Sequence, residues 1–188
     1  MPNMLLARLC APALALAVSG PAYAHSALEQ KETRTGTFYR AVVQITHGCG
    51  DSPTISVSVT VPEGAVGARP MAKPGWTITT TRGPYARSYP FVHGEISEGV
   101  KEIVWSGGRL PADEFDEFVF LVRISDVFPI GSVVYFPTVQ TCEAGAHHWT
   151  QIPAPGQAGD TLAEPAPAVR VIGAAPAAKP PQGGRPAR

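Results

Sequence analysis

The chain has 188 residues, 44% of them hydrophobic and 16% charged, with 15 basic against 15 acidic side chains and a formal net charge of zero. That length suits one globular domain with a sizeable core plus some unstructured chain. A neutral chain has no basic stripe to neutralise phosphates, which argues against a nucleic-acid partner.

Residues 1–24, MPNMLLARLCAPALALAVSGPAYA, read as an export signal. Arg8 is the positive n-region, Leu9–Ser19 the short apolar stretch, and Ala22-Tyr23-Ala24 a small-x-small cleavage motif. The apolar stretch is shorter than the roughly 20 residues a bilayer requires. No second run of that kind follows, so no membrane span is expected and the mature protein is expected to be periplasmic or secreted. Cys10 leaves with the signal, and two cysteines, Cys49 and Cys142, remain. In an oxidising compartment they most simply form one disulfide. A loop of 93 residues closed in this way stabilises by roughly 4–5 kcal/mol on chain-entropy grounds. The functional rival, a soft copper site on the two thiolates, lacks a third cysteine and any CxxC spacing.

After the signal the chain shows short alternating runs between turn residues, a β pattern. Phe38–Thr46 is a strand closed by His47-Gly48-Cys49-Gly50-Asp51. Ile55–Val61 alternates, with Ile55, Val57, Val59 and Val61 on one face. Trp76–Thr81 follows the turn Lys73-Pro74-Gly75, and Lys101–Trp105 ends at Ser106-Gly107-Gly108. Phe115–Ile124 is the longest run. Ser132–Pro137 leads into Thr138–Cys142, and His148–Ile152 comes last. Seven to eight short strands predict an all-β, antiparallel β-sandwich over residues 25–155. Much of the proline (20) and glycine (19) lies in the Pro/Ala/Gly-rich stretch after Ile152. That composition predicts a disordered, flexible tail over residues 156–188, with a short Val169–Ile172 strand able to dock.

Cleavage after Ala24 makes His25 the first residue. Its α-amino nitrogen and imidazole can then close a chelate ring on a metal, an arrangement called a histidine brace. Both groups lose protons on binding. Nitrogen donors and a square geometry suit Cu(II), which also heads the divalent affinity order. The bland alternative is that cleavage leaves a histidine there by chance. His47 and His93 read as solvated turn and loop residues, and adjacent His147 and His148 point to opposite faces of a strand. No HxH or HxxxH pair provides a catalytic zinc centre. Glu117 shares a strand face with Phe115 and Val119, so it either points towards a rim or belongs to a solvated acidic strand end. Trp76, Trp105 and Trp149 read as core or rim aromatics. No GxSxG motif or phosphate-cradling glycine loop is present, so no catalytic residues are expected.

An ordered series of motifs then carries a resemblance. It runs Ala24-His25 with Glu32, His47-Gly48-Cys49 with Asp51-Ser52-Pro53-Thr54, and Lys73-Pro74-Gly75-Trp76. It continues with Glu102-Ile103-Val104-Trp105-Ser106-Gly107-Gly108, Leu110-Pro111 and Asp116-Glu117-Phe118. Tyr135-Phe136-Pro137, Gln140-Thr141-Cys142, Trp149 and Ile152-Pro153 close it. Over His25 to Gly156 the chain resembles the YcnI-like exported copper-binding proteins, a family formerly known as a domain of unknown function. The resemblance implies a β-sandwich that binds Cu(II) through a single-histidine brace and serves copper homeostasis as a non-enzymatic chaperone or buffer. Its partners would be the copper ion and other exported copper-trafficking proteins. By position His25 is the brace, Glu32 the acidic ligand and Trp149 the aromatic neighbour. A fully extended run would put Glu32 about 23 Å from His25, so the chain must turn back, with Glu117 the substitute ligand if it does not. Ser26-Ala27-Leu28 departs from the family's valine-threonine alternation at this point. Two rival functions are a copper oxygenase or oxidase on the same brace and a metal-free protein-interaction sandwich.

Overall fold

The computed structural model describes residues 25–173. The expected export signal, residues 1–24, lies outside the described residues. No helix among them is long and apolar enough to cross a membrane.

Twelve strands follow in chain order among the described residues. They are β1 (Ala27–Leu28), β2 (Glu32–Arg34), β3 (Thr37–Ile45), β4 (Thr54–Thr60), β5 (Ala65–Pro70) and β6 (Thr77–Phe91). Then come β7 (Gly94–Leu110), β8 (Asp116–Ile124), β9 (Val133–Tyr135), β10 (Thr138–Cys142), β11 (Ala146–Trp149) and β12 (Ala168–Ile172). Two sheets form the sandwich, one ordered β1-β3-β8-β5 and the other β11-β10-β4-β7-β6. A third, ordered β2-β12-β9, joins the two ends of the described chain.

The alternating runs set the inner faces. Val57 and Val59 of β4, Ile103 and Trp105 of β7, and Phe118, Phe120, Val122 and Ile124 of β8 are fully buried in one core. Trp105 and Trp76 both meet Phe118 edge-on, at 5.6 and 5.0 Å between ring centroids. The Trp76 indole lies so close to Gly108 that a β-carbon there would come within 2.2 Å of it, which is why a side chain is absent at that point.

Three features depart from the sequence reading. The Trp76–Thr81 and Lys101–Trp105 runs are parts of one long hairpin, β6 and β7, of 15 and 17 residues. Gly83, Pro84 and Pro90 of β6 and Gly94 and Gly99 of β7 all lie within this hairpin, whose ladder shifts register between Thr81 and Arg82 and between Pro84 and Tyr89. The prolines lie on β6, an edge strand, where the missing N–H breaks no ladder bond. The strands β1, β2 and β5 are too short or too interrupted to show alternation, which raises the count above seven or eight.

The third departure corrects the boundary of the flexible tail. The chain stays on the domain to Gly173, and β12 is the central strand of the third sheet, parallel to β2 and antiparallel to β9. Val169 and Val171 are fully buried in the main core. Composition averaged over the Pro/Ala-rich stretch hid these two apolar side chains, whereas the expected docking of Val169–Ile172 is met. The rest of the predicted tail, residues 174–188, lies outside the described residues.

Candidate metal centre

A two-residue strand positions His25. In β1, Ala27 pairs with Gln44 and Leu28 with Val43, and Leu28 is fully buried. The Glu29 N–H donates to the Val42 carbonyl at 3.0 Å, and the Tyr39 hydroxyl donates to the Gln30 carbonyl at 2.6 Å. This anchor leaves His25 half-buried and lining an open cleft of about 1230 Å³. Lys31, Tyr135, Pro153 and Arg170 are among the other lining residues.

The imidazole of His25 meets the indole of Trp149 edge-on, with centroids 6.1 Å apart and planes at 88°. Trp149 ends β11, on the opposite sheet, and is 4% exposed. It is the hub of a larger ring cluster. His147 stacks on it at 4.8 Å and 27°, and His47 meets it edge-on at 6.1 Å. His47 and His147 are themselves 5.4 Å apart at 88°.

Gln140, on β10, ties this cluster together. Its amide oxygen accepts from the Trp149 indole N–H at 3.0 Å. Its amide nitrogen donates to the His47 carbonyl at 2.7 Å and to the Thr54 hydroxyl at 2.8 Å. The Cys49–Cys142 disulfide pins the turn after His47 to the end of the same strand. The expected disulfide is therefore present, and it rules out a soft site on two free thiolates.

The two carboxylates singled out from sequence stand elsewhere. The chain bends between β1 and β2, carrying Glu32 from the first sheet to the third. There it is exposed, in register with Arg170. Glu32 does not line the cleft at His25, whereas its neighbour Lys31 does. Glu117 lies half-buried on the outer face of β8, where it accepts from Gln44 Nε2 at 3.4 Å. The Lys73–Asp116 ion pair at 2.6 Å stands beside it.

The carboxylate that does touch the ring cluster is Glu164. Its Oε1 is 2.7 Å from His147 Nδ1, and its Oε2 accepts the His148 backbone N–H at 2.9 Å. Burial alone would raise its pKa. The hydrogen bonds from His147 and the His148 N–H, with the charges of both histidines, outweigh that and hold it below its ordinary value. Sequence reasoning missed Glu164 because it lies in the Pro/Ala-rich stretch read as flexible. It missed His47 and His147 because the signal is spatial, two distant segments meeting across β10 and β11. Among the described residues, no three His, Cys, Asp or Glu side chains form a group arranged to hold a metal ion.

A family model for a domain of unknown function (DUF1775) matches residues 25–171. No curated protein matches the chain. Among solved structures, the chain is similar to an uncharacterized protein from Nocardia farcinica whose crystal structure is described as revealing an immunoglobulin-like fold. The TM-score is 0.58 at 22% identity, over 79% of this chain and 98% of that one. That likeness agrees with the sandwich seen here and bears on fold alone.

Proposed function

The chain belongs to the DUF1775 family, and from that premise we propose that it is an exported copper-binding protein, a carrier or buffer rather than an enzyme. Its cargo is Cu(II), held by the amine and imidazole of His25 once residues 1–24 are removed. The observation that carries this reading is the edge-on contact of His25, which lines an open cleft, with Trp149.

The residues present fit such a cargo. With Cys49 and Cys142 joined, the donors on offer are nitrogen and oxygen, which favours Cu(II) over Cu(I). A terminal amine and a neutral imidazole on one residue close a chelate ring without help from a second strand. The half-buried position limits competing water while leaving the metal a way in and out. The resemblance to YcnI-like proteins supports the same assignment, with Trp149 as the aromatic neighbour. Glu32 is the carboxylate that the resemblance implies and Glu117 the substitute read from the strand face, although neither lines the cleft at His25. A segment of chain before His25 would convert its amine to an amide, which has neither the basicity nor the lone pair to bind, so signal removal creates the site. On this reading the protein works in the periplasm or outside the cell, with other exported copper-trafficking proteins as its donors and acceptors.

An EPR spectrum with one equivalent of Cu(II), on protein whose first residue is His25, tests the proposal. The axial signal of an amine–imidazole chelate is expected, and that signal is lost in His25→Ala and in a form carrying one extra N-terminal residue, even where copper is held elsewhere on the protein. An identical spectrum with and without that extra residue overturns it.

A further inference from the structure

The pairing of His47 with His147 remains unused by the function proposed above. These residues are exactly 100 positions apart in the chain, yet their rings lie 5.4 Å apart at 88°. Both are half-buried, and both pack on Trp149.

Their Nδ1 atoms are alike in one chemical respect: each faces an oxygen acceptor. His47 Nδ1 is 2.6 Å from the Gly48 carbonyl oxygen, and His147 Nδ1 is 2.7 Å from Glu164 Oε1. A carbonyl can only accept, so His47 carries its proton on Nδ1. The ionised Glu164 fixes the same tautomer on His147. In each neutral ring the Nε2 atom then holds the lone pair. Histidines that bind metals regularly show this arrangement, the second ring nitrogen donating to a carboxylate or a backbone carbonyl. The ring separation suits it too. Two imidazoles on one ion, at about 2.0–2.1 Å per nitrogen and a near-tetrahedral angle, bring their centroids to roughly 5 Å.

We infer that His47 and His147 form a second metal position, an imidazole pair that takes a late first-row divalent ion such as Cu(II) or Zn(II). It shares Trp149 with His25 but uses neither donor of the His25 chelate. Glu164 and the Gly48 carbonyl are its positioning groups, and solvent supplies the remaining ligands, in keeping with the absence of a third clustered side chain among the described residues. Gln140, bonded to the His47 carbonyl and the Trp149 indole, and the disulfide tie the two segments together. The protein therefore offers two nitrogen-rich positions around one indole, which suits a carrier that receives an ion at one and releases it from the other.

Titration of the oxidised protein with Zn(II), followed by imidazole ¹H–¹⁵N correlations, tests this without any substitution. The Nε2 signals of His47 and His147 are expected to shift together, and to do so equally in His25→Ala. In the double variant His47→Gln/His147→Gln, binding at this position is lost while the Cu(II) signal of His25 persists. Glu164→Gln is expected to weaken it about 10–100-fold. Unmoved Nε2 signals overturn the inference, as does their loss of response in His25→Ala, which would make the three histidines one site. Shifts at the pair without any His25 copper signal would instead defeat the function proposed above and leave this position standing.

Discussion

The indole N–H of Trp149 donates to the side-chain oxygen of Gln140 at 3.0 Å, and the two residues are 4% and 1% exposed. Gln140 thus satisfies the one polar atom of the aromatic hub. Through its nitrogen it also satisfies the His47 carbonyl and the Thr54 hydroxyl. One buried amide sets the positions of three segments. Gln140→Leu keeps most of the volume but leaves those partners desolvated and unpaired. Each such loss costs about 1–3 kcal/mol. We expect a total of roughly 2–4 kcal/mol, because relaxation recovers part of the sum, read as a lower urea midpoint with an unchanged m-value. A midpoint within error of the parent would show that the network contributes no net stability.

Val169 and Val171 test whether the C-terminal strand belongs to the domain. Both are fully buried. Val169→Ala/Val171→Ala removes apolar contacts from the core and is expected to cost about 2–4 kcal/mol. Changing Ile152, which is 54% exposed, to Ala should stay within about 0.5 kcal/mol. Thermal unfolding of the two variants side by side separates a docked strand from a loosely associated tail.

Acid sensitivity is expected at the long hairpin. Glu63 accepts hydrogen bonds from Lys101 Nζ at 2.7 Å, the Tyr89 hydroxyl at 2.7 Å and the Ala86 N–H at 3.0 Å. Desolvation would raise its pKa. Those bonds, with the Lys101 charge, outweigh it and hold the carboxyl below its ordinary 4.5. A carboxyl depressed on folding stabilises the folded state fully above its unfolded value, and that share is lost as pH falls through the lower folded value. Glu63→Gln should therefore reduce stability near neutrality and flatten its fall below about pH 4.5. Urea unfolding at a series of pH values reads both effects. Parallel curves for parent and variant would remove Glu63 from the account.

The sandwich was legible in the sequence because burial on one face imposes a period of two. Ile55–Val61 and Phe115–Ile124 carry that period plainly, and Val57, Val59, Phe118 and Phe120 are buried as it requires. The disulfide followed from counting cysteines. His25 and Trp149 were singled out separately, and the structure brings their rings together. What composition and period could not reveal is long-range convergence. His47 reads as an ordinary turn residue, His147 as half of a dipeptide and Glu164 as part of a tail. The pairing of β10 with β4 and β11, together with the bridge from Gln151 to Pro165, assembles them. The hairpin was underread for another reason, since its prolines interrupt the alternating pattern on β6, an edge strand that tolerates them.

The third sheet has a consequence for the order in which this protein can be made. Its central strand, β12, is among the last of the described chain to be synthesised, while β2 is among the first. Parallel pairing between them closes the longest loop available, the kind of contact that slows folding most. Until β12 emerges, β2 and β9 lack their shared neighbour and the core lacks Val169 and Val171. A nascent chain therefore waits, with open strand edges, for β12 before this sheet can close. Such a chain gains from helpers that shield those edges in the interval.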